Sequence, residues 1–175
     1  EQYNTILEAM TNKFGSDNII FEHGVAYEEH KEWTAEDASG IEKAVAQAKD
    51  VDYIIACVGE NSYAETTGNI SDLNLSSNQK LLVKRLQETG KPVILILNEG
   101  RPRLIHDLVD GCKAIVNIML PGNYGGDALA DLLSGDENFS GRLPFTYPSH
   151  PNSFTTYDFK VCEARETMPG TYNYE

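Results

Sequence analysis

The chain has 175 residues, a hydrophobic fraction of 41% and a formal net charge of -13. That is enough apolar material for one globular domain with a core, and the balance is too acidic for a phosphate-binding surface, because nucleic-acid affinity rests on Lys and Arg displacing counterions. No stretch approaches the roughly 20 apolar residues needed to cross a bilayer, and three cysteines without Cys-x-x-Cys or Cys/His spacing argue against a zinc site or a disulfide framework.

In chain order, Ile6, Leu7, Met10 and Phe14 recur at helical spacing, and Gly15 stands where such a helix stops. Residues 18–24, NIIFEHG, read as a short strand. Thr34-x-x-Asp37 has the form of a helix start, and Ile41, Ala44, Val45 and Ala48 follow it as the apolar face of a second helix. The runs DYIIACVG, PVILILN and AIVNIML, ending at residues 59, 98 and 120, are continuously apolar rather than alternating. Continuous runs mean strands covered on both faces, as in parallel sheet, and Cys57 within the first reads as a small core residue. Between the runs, Leu81, Leu82, Val83 and Leu86 mark one helix, and after the last, Leu129, Leu132 and Leu133 mark another. The alternation predicts an α/β fold, a mostly parallel sheet sandwiched between helices with flavodoxin-like layering. Residues 1–148 form this sandwich. Residues 149–175 carry scattered aromatics without a period and read as an extended tail, truncated before the last element of the domain.

In such sheets ligands bind beyond the carboxyl ends of the strands, which picks out the loops 59–74, 98–103 and 120–126 as one shared edge. The first is the longest polar connection of the chain, VGENSYAETTGNISDLNL. It carries two carboxylates, Glu60 at the strand end and Glu65 further out, with Tyr63, Thr66 and Asn69 around the latter. A loop carboxyl at a binding edge can donate a proton if burial against a substrate or partner raises its pKa. Glu60 so close to the strand suits a second task, accepting hydrogen bonds from its own loop. Arg101 is suited to pairing with a buried acid or backbone group, or to supporting the acid loop. Other chemistries find no footing: there is no G-x-S-x-G elbow for a serine nucleophile, and Gly122, Gly125 and Gly126 match no phosphate-loop spacing.

The stretches CVGENSYAETTGNISDLNL, NQKLLVKRLQETGKPVILILNEGRPRLI and AIVNIMLPGNYGGDALADLLSGDENFSGRLPFTYP resemble the C-terminal α/β sandwich domain of glycoside hydrolase family 3. This is the family of β-glucosidases, exo-β-glucanases and β-xylosidases. The resemblance implies a retaining β-glycosidase that cleaves O-glycosyl bonds at the non-reducing end of a β-linked oligosaccharide or glycoside. It further implies an N-terminal barrel domain of the same chain that supplies an aspartate nucleophile, and a Tyr-x-Glu-Thr segment whose glutamate is the general acid/base. Here that segment is Tyr63 to Thr66, which makes Glu65 the catalytic candidate, with Tyr63, Thr66 and Asn69 as loop supports or sugar contacts. The chemistry needs a second carboxyl roughly 5 Å from the nucleophile and neither cofactor nor metal.

The chain departs from the family pattern in two loops. Asn69 stands where an aspartate is common, and Glu99 interrupts the usual Asn-Gly-Arg-Pro, so that it reads NEGRP. The lone Trp33 follows Glu32, so the Ser-Asp-Trp nucleophile segment of the barrel is not in this chain and the isolated piece is expected to be inactive. The alternative in another class is a non-catalytic carbohydrate-binding or docking module. Neither nucleic acid nor membrane is an expected partner, and the resemblance implies a periplasmic or secreted protein.

Overall fold

In the computed structural model, which describes residues 3–151, the first helix, α1, spans Ile6–Phe14. Its start is a reciprocal cap: the Glu8 N–H donates to Thr5 Oγ1 (3.2 Å) and the Thr5 N–H donates to Glu8 Oε2 (2.8 Å). It ends at Gly15, whose φ of 87° suits a residue without Cβ and whose N–H closes on the Thr11 carbonyl. Thr5→Ala is expected to lower stability by about 1 kcal/mol, readable as a lower denaturation midpoint.

Residues 18–24 do not form the strand their composition predicts. Ser16–Asn18 is a 3-10 turn, and the extended stretch after it acquires no ladder partner. The Val25 N–H turns back onto the His23 carbonyl (2.6 Å), and Glu22 is drawn to Lys43 (2.6 Å), which leaves Ile20 and Phe21 exposed. The second helix also begins later than Thr34 suggests. Ala26–Tyr27 (β1) and Glu36–Asp37 (β2) pair as a small antiparallel ribbon, and α2 covers Ile41–Ala48. Asp37 caps no helix; it accepts from the Ser39 N–H and hydroxyl in the turn that leads to α2.

The main sheet consists of β3 (Ile54–Gly59), β4 (Val93–Asn98) and β5 (Ala114–Asn117), parallel and in that spatial order. Register runs from Ile54 opposite Val93 to Gly59 opposite Asn98, so β3 and β4 end level. Helix α3 (Ser77–Gln87) and the short α4 (His106–Val109) connect the strands, and α5 (Gly125–Ser134) follows the last. One face of the sheet packs Ile54, Ala56, Val58, Leu95 and Leu97 against α2 and α3; the other packs Ile96 against Ala9 and Met10 of α1 and Leu129 of α5. The central β4 is thus buried from both sides, with Val93, Leu95, Ile96 and Leu97 all at 1% exposure or less. This is why its sequence does not alternate.

Cys57 is not in the core. It lies on the edge strand, on the face covered by α1 and α5, where the apolar cluster reaches Ile55 and goes no further. It lines an open recess and is exposed as a residue, yet enough protein surrounds the thiol to push it up to about 11. Such a thiol stays protonated and unreactive at neutral pH. Nearly all of the expected tail, with Cys162, lies outside the described residues.

Candidate functional site

The three predicted loops do meet at the carboxyl edge of the sheet, and a buried acid joins two of them. β3 closes so tightly on β4 that a Cβ on Gly59 would overlap the Asn98 carbonyl, and the Gly59 φ of 150° also favours glycine. The next residue, Glu60, turns its carboxylate inward, where the side chain is 2% exposed. Oε2 accepts from the backbone N–H groups of Gly100 (3.1 Å) and Arg101 (3.3 Å). Oε1 receives Nε (3.0 Å) and Nη2 (2.7 Å) of Arg101, the planar fork that suits a carboxylate. Glu60 therefore orients the neighbouring 98–103 loop rather than accepting hydrogen bonds from its own, and Arg101 pairs with a buried acid, the first of the two tasks its sequence suggests.

Arg101 also reaches the acid loop. Its Nη1 donates to the Gly68 carbonyl at 2.6 Å, and its guanidinium lies 4.1 Å from the centroid of the Tyr63 ring, with Trp33 beyond at 6.0 Å. The Tyr63 ring packs so closely on Gly68 and Gly100 that either glycine would clash if given a Cβ. Tyr63 is accordingly half-buried in the support of the loop.

Glu65 opens a 3-10 turn, Glu65–Gly68, on top of this support. Its φ is 50°, a left-handed conformation that costs a non-glycine residue roughly 1–2 kcal/mol and that tends to persist at functional sites. The turn is closed by Thr67 Oγ1 donating to the Ala64 carbonyl (2.6 Å) and by the Asn69 N–H donating to the Thr66 carbonyl (3.2 Å). Glu65, Thr66 and Asn69 are all exposed along this edge. Among the described residues no group of His, Cys, Asp and Glu is arranged to hold a metal ion.

Two supports escape a reading by motif. Gln79, on the buried face of α3 at 5% exposure, accepts the Gly59 N–H at Oε1 (2.7 Å). Its Nε2 donates to Tyr27 Oη (2.9 Å) and to Glu36 Oε1 (2.7 Å), tying the end of β3 to the small ribbon. Its spacing from Val83 and Leu86, four and seven residues on, is the signal that could have found it. Gln79→Leu orphans the buried Gly59 N–H and is expected to cost about 1–3 kcal/mol, with unfolding in urea as the check.

The second is Glu99, fully buried behind the loop that carries Arg101. Its Oε1 lies 2.6 Å from the Tyr147 hydroxyl and 3.3 Å from Asn117 Nδ2. Burial pushes the carboxyl up to about 7. The only sequence trace is its interruption of the Asn-Gly-Arg-Pro pattern.

A family model described as the glycosyl hydrolase family 3 C-terminal domain matches residues 1–175. The lysosomal beta glucosidase of Dictyostelium discoideum is 41% identical over 167 residues, covering 94% of this chain and 20% of that protein. The periplasmic beta-glucosidase of Salmonella typhimurium is 35% identical over 118 residues, 67% of this chain and 15% of its own length. Among solved structures, a beta-glucosidase from Listeria innocua superposes with a TM-score of 0.65 at 28% identity, covering 79% of this chain and 19% of that one. The chain thus spans a fifth or less of the length of these relatives.

Proposed function

Since the chain belongs to the glycosyl hydrolase family 3 C-terminal domain family, we propose that it is the second domain of a retaining β-glycosidase and that Glu65 is the general acid/base. The substrate is a β-linked oligosaccharide or glycoside, cleaved at its non-reducing end. The nucleophilic carboxylate belongs to a barrel domain elsewhere in the complete polypeptide. In the first step the Glu65 carboxyl gives its proton to the departing glycosidic oxygen while the nucleophile takes the anomeric carbon. In the second, its carboxylate removes a proton from water, which displaces the enzyme from the sugar. Tyr63 supports the loop, and Thr66 and Asn69 stand where they can meet hydroxyl groups of the sugar.

The observation that carries this reading is the contrast between the two loop acids. Glu60 is buried and spent on Arg101 and backbone N–H groups, whereas Glu65 is held out on a turn anchored through the Gly68 carbonyl. An acid that must reach a substrate brought by another domain needs that combination of exposure and a fixed base. The acidic chain, with its net charge of -13, suits a neutral sugar and disfavours nucleic acid. No described helix is long and apolar enough to cross a membrane. Relatives named as lysosomal and periplasmic fit a secreted or periplasmic setting.

The test is Glu65→Ala in the complete polypeptide with an activated aryl β-glycoside and added azide. Restored turnover with formation of the β-glycosyl azide is expected, because the small anion attacks the glycosyl-enzyme without needing a base. Unchanged turnover with and without azide rejects the assignment and favours a non-catalytic binding or docking module.

A further inference from the structure

We propose that Glu99 is held as an unionised carboxylic acid that latches the Arg101 loop to Tyr147, a positioning residue that releases this loop when it loses its proton. The inference rests on the reading of Glu65 above only for its catalytic consequence.

The contacts at Tyr147 call for one more hydrogen than an ionised Glu99 leaves available. Tyr147 Oη lies 2.6 Å from Glu99 Oε1 and 2.7 Å from the Arg103 carbonyl oxygen. Both distances are those of O–H···O bonds, but a tyrosine hydroxyl has one hydrogen and the Arg103 carbonyl has none to give. Both contacts are satisfied if Glu99 Oε1 carries the missing hydrogen and donates to Tyr147, while Tyr147 donates to Arg103. With Glu99 ionised, one of the two short contacts must lose its hydrogen and set two oxygens against each other.

The surroundings agree. Glu99 has no exposed surface, and its Oε2 has no hydrogen-bond partner among the described residues, a place where a charge is costly and a neutral carbonyl oxygen much less so. Of the charged groups facing it, only Arg103 favours its ionised form, and it forms no ion pair with it among the described residues. Glu60, from the end of β3, is an acid itself; Arg103, from the same loop, points Nη1 at the Asp72 carbonyl (3.1 Å) and at Glu60 (3.8 Å); Tyr147 is the hydroxyl already counted. Burial first, and the Glu60 charge in the same direction, push the Glu99 carboxyl up to about 7 against the opposing pull of Tyr147 and Arg103.

Glu99 immediately precedes Gly100 and Arg101, whose N–H groups and guanidinium hold Glu60 and the Gly68 carbonyl. The Arg103 N–H closes the turn on Glu99 Oε1 at 3.4 Å. Ionisation would take the hydrogen out of one of the two short contacts at Tyr147 and so undo the latch between the turn and Tyr147. For a carboxyl raised from 4.5 to about 7, the native state keeps its proton where the unfolded state has lost it. The stabilisation is complete below about 4.5, declines as pH rises, and is gone above about 7, by up to about tenfold in the opening equilibrium per pH unit.

The experiment compares the complete polypeptide with its Glu99→Gln variant in two readouts that do not involve turnover, so that they succeed or fail independently of the Glu65 test. At pH 6 the infrared difference between the two should contain the carbonyl stretch of one unionised carboxylic acid. Hydrogen-exchange protection of the amides at 100–104, corrected for intrinsic rates, should fall from pH 5 to pH 7 in the parent and stay level in Glu99→Gln. Should the variant fail to fold, Tyr147→Phe replaces it, and it should move the acid band and weaken the same protection. A missing or unmoved acid band, or an identical pH dependence in parent and variant, overturns the proposal.

Discussion

Loss of the Glu65 carboxyl is expected to lower kcat/KM by roughly 10²–10⁴-fold on a β-glycoside whose leaving group is an ordinary sugar alcohol, the range for a positioned proton donor. The size of the effect should depend on the leaving group. A sugar alkoxide cannot depart without a proton, so the first step collapses in Glu65→Ala. A dinitrophenolate departs unaided, so kcat/KM for that substrate should change little, while kcat drops because the water that completes the second step has lost its base. The glycosyl-enzyme then accumulates and a burst precedes the slow steady state. An equal loss on both leaving groups would instead mean that the substitution had merely disturbed binding.

The sheet was legible because burial on two faces leaves a direct trace. β4 is covered by α2 and α3 on one side and by α1 and α5 on the other, and nothing but apolar residues survives there, so Val93 to Leu97 could be read without a partner. The pieces that misled are those decided by contacts distant in sequence. Residues 18–24 have a strand's composition, but a strand exists only when another lends its backbone, and Glu22 goes to Lys43 instead. Thr34-x-x-Asp37 looks like a cap, but Glu36 between them is claimed by Gln79 and by Ser76, 43 and 40 residues away. Cys57 sits in an apolar run, but on an edge strand one of its two faces is only partly covered. The site divides in the same way. The loop and its two acids stand out through composition, since no other connection is so polar. That Glu60 is buried while Glu65 stays exposed rests on where Arg101 reaches, a fact of tertiary structure. Glu99 and Tyr147 are 48 residues apart and meet only in the fold.

Arg101→Ala is expected to be the most damaging single change at this edge, costing about 3–5 kcal/mol in stability because it leaves a buried charge without its partner. The Glu60 side chain, at 2% exposure, cannot turn to water. It would keep two backbone N–H bonds and Arg103 at 3.8 Å, which is too little for a full negative charge. Arg101→Lys should recover only part of the loss, since a point charge cannot supply Nε and Nη2 to one carboxylate and Nη1 to the Gly68 carbonyl together. The double variant Glu60→Gln with Arg101→Ala should be more stable than Arg101→Ala alone, the charge having been removed with its counter-ion; the coupling measured in that cycle isolates the pair. Stability and activity should then part company. The neutralised double variant regains stability, but the 3-10 turn that carries Glu65 still lacks its anchor at Gly68. A displacement near 1 Å at a catalytic group costs on the order of 10²-fold in rate, and the double variant should retain a deficit of that order. If it recovers turnover together with stability, the guanidinium acts on the fold alone and has no part in presenting the acid.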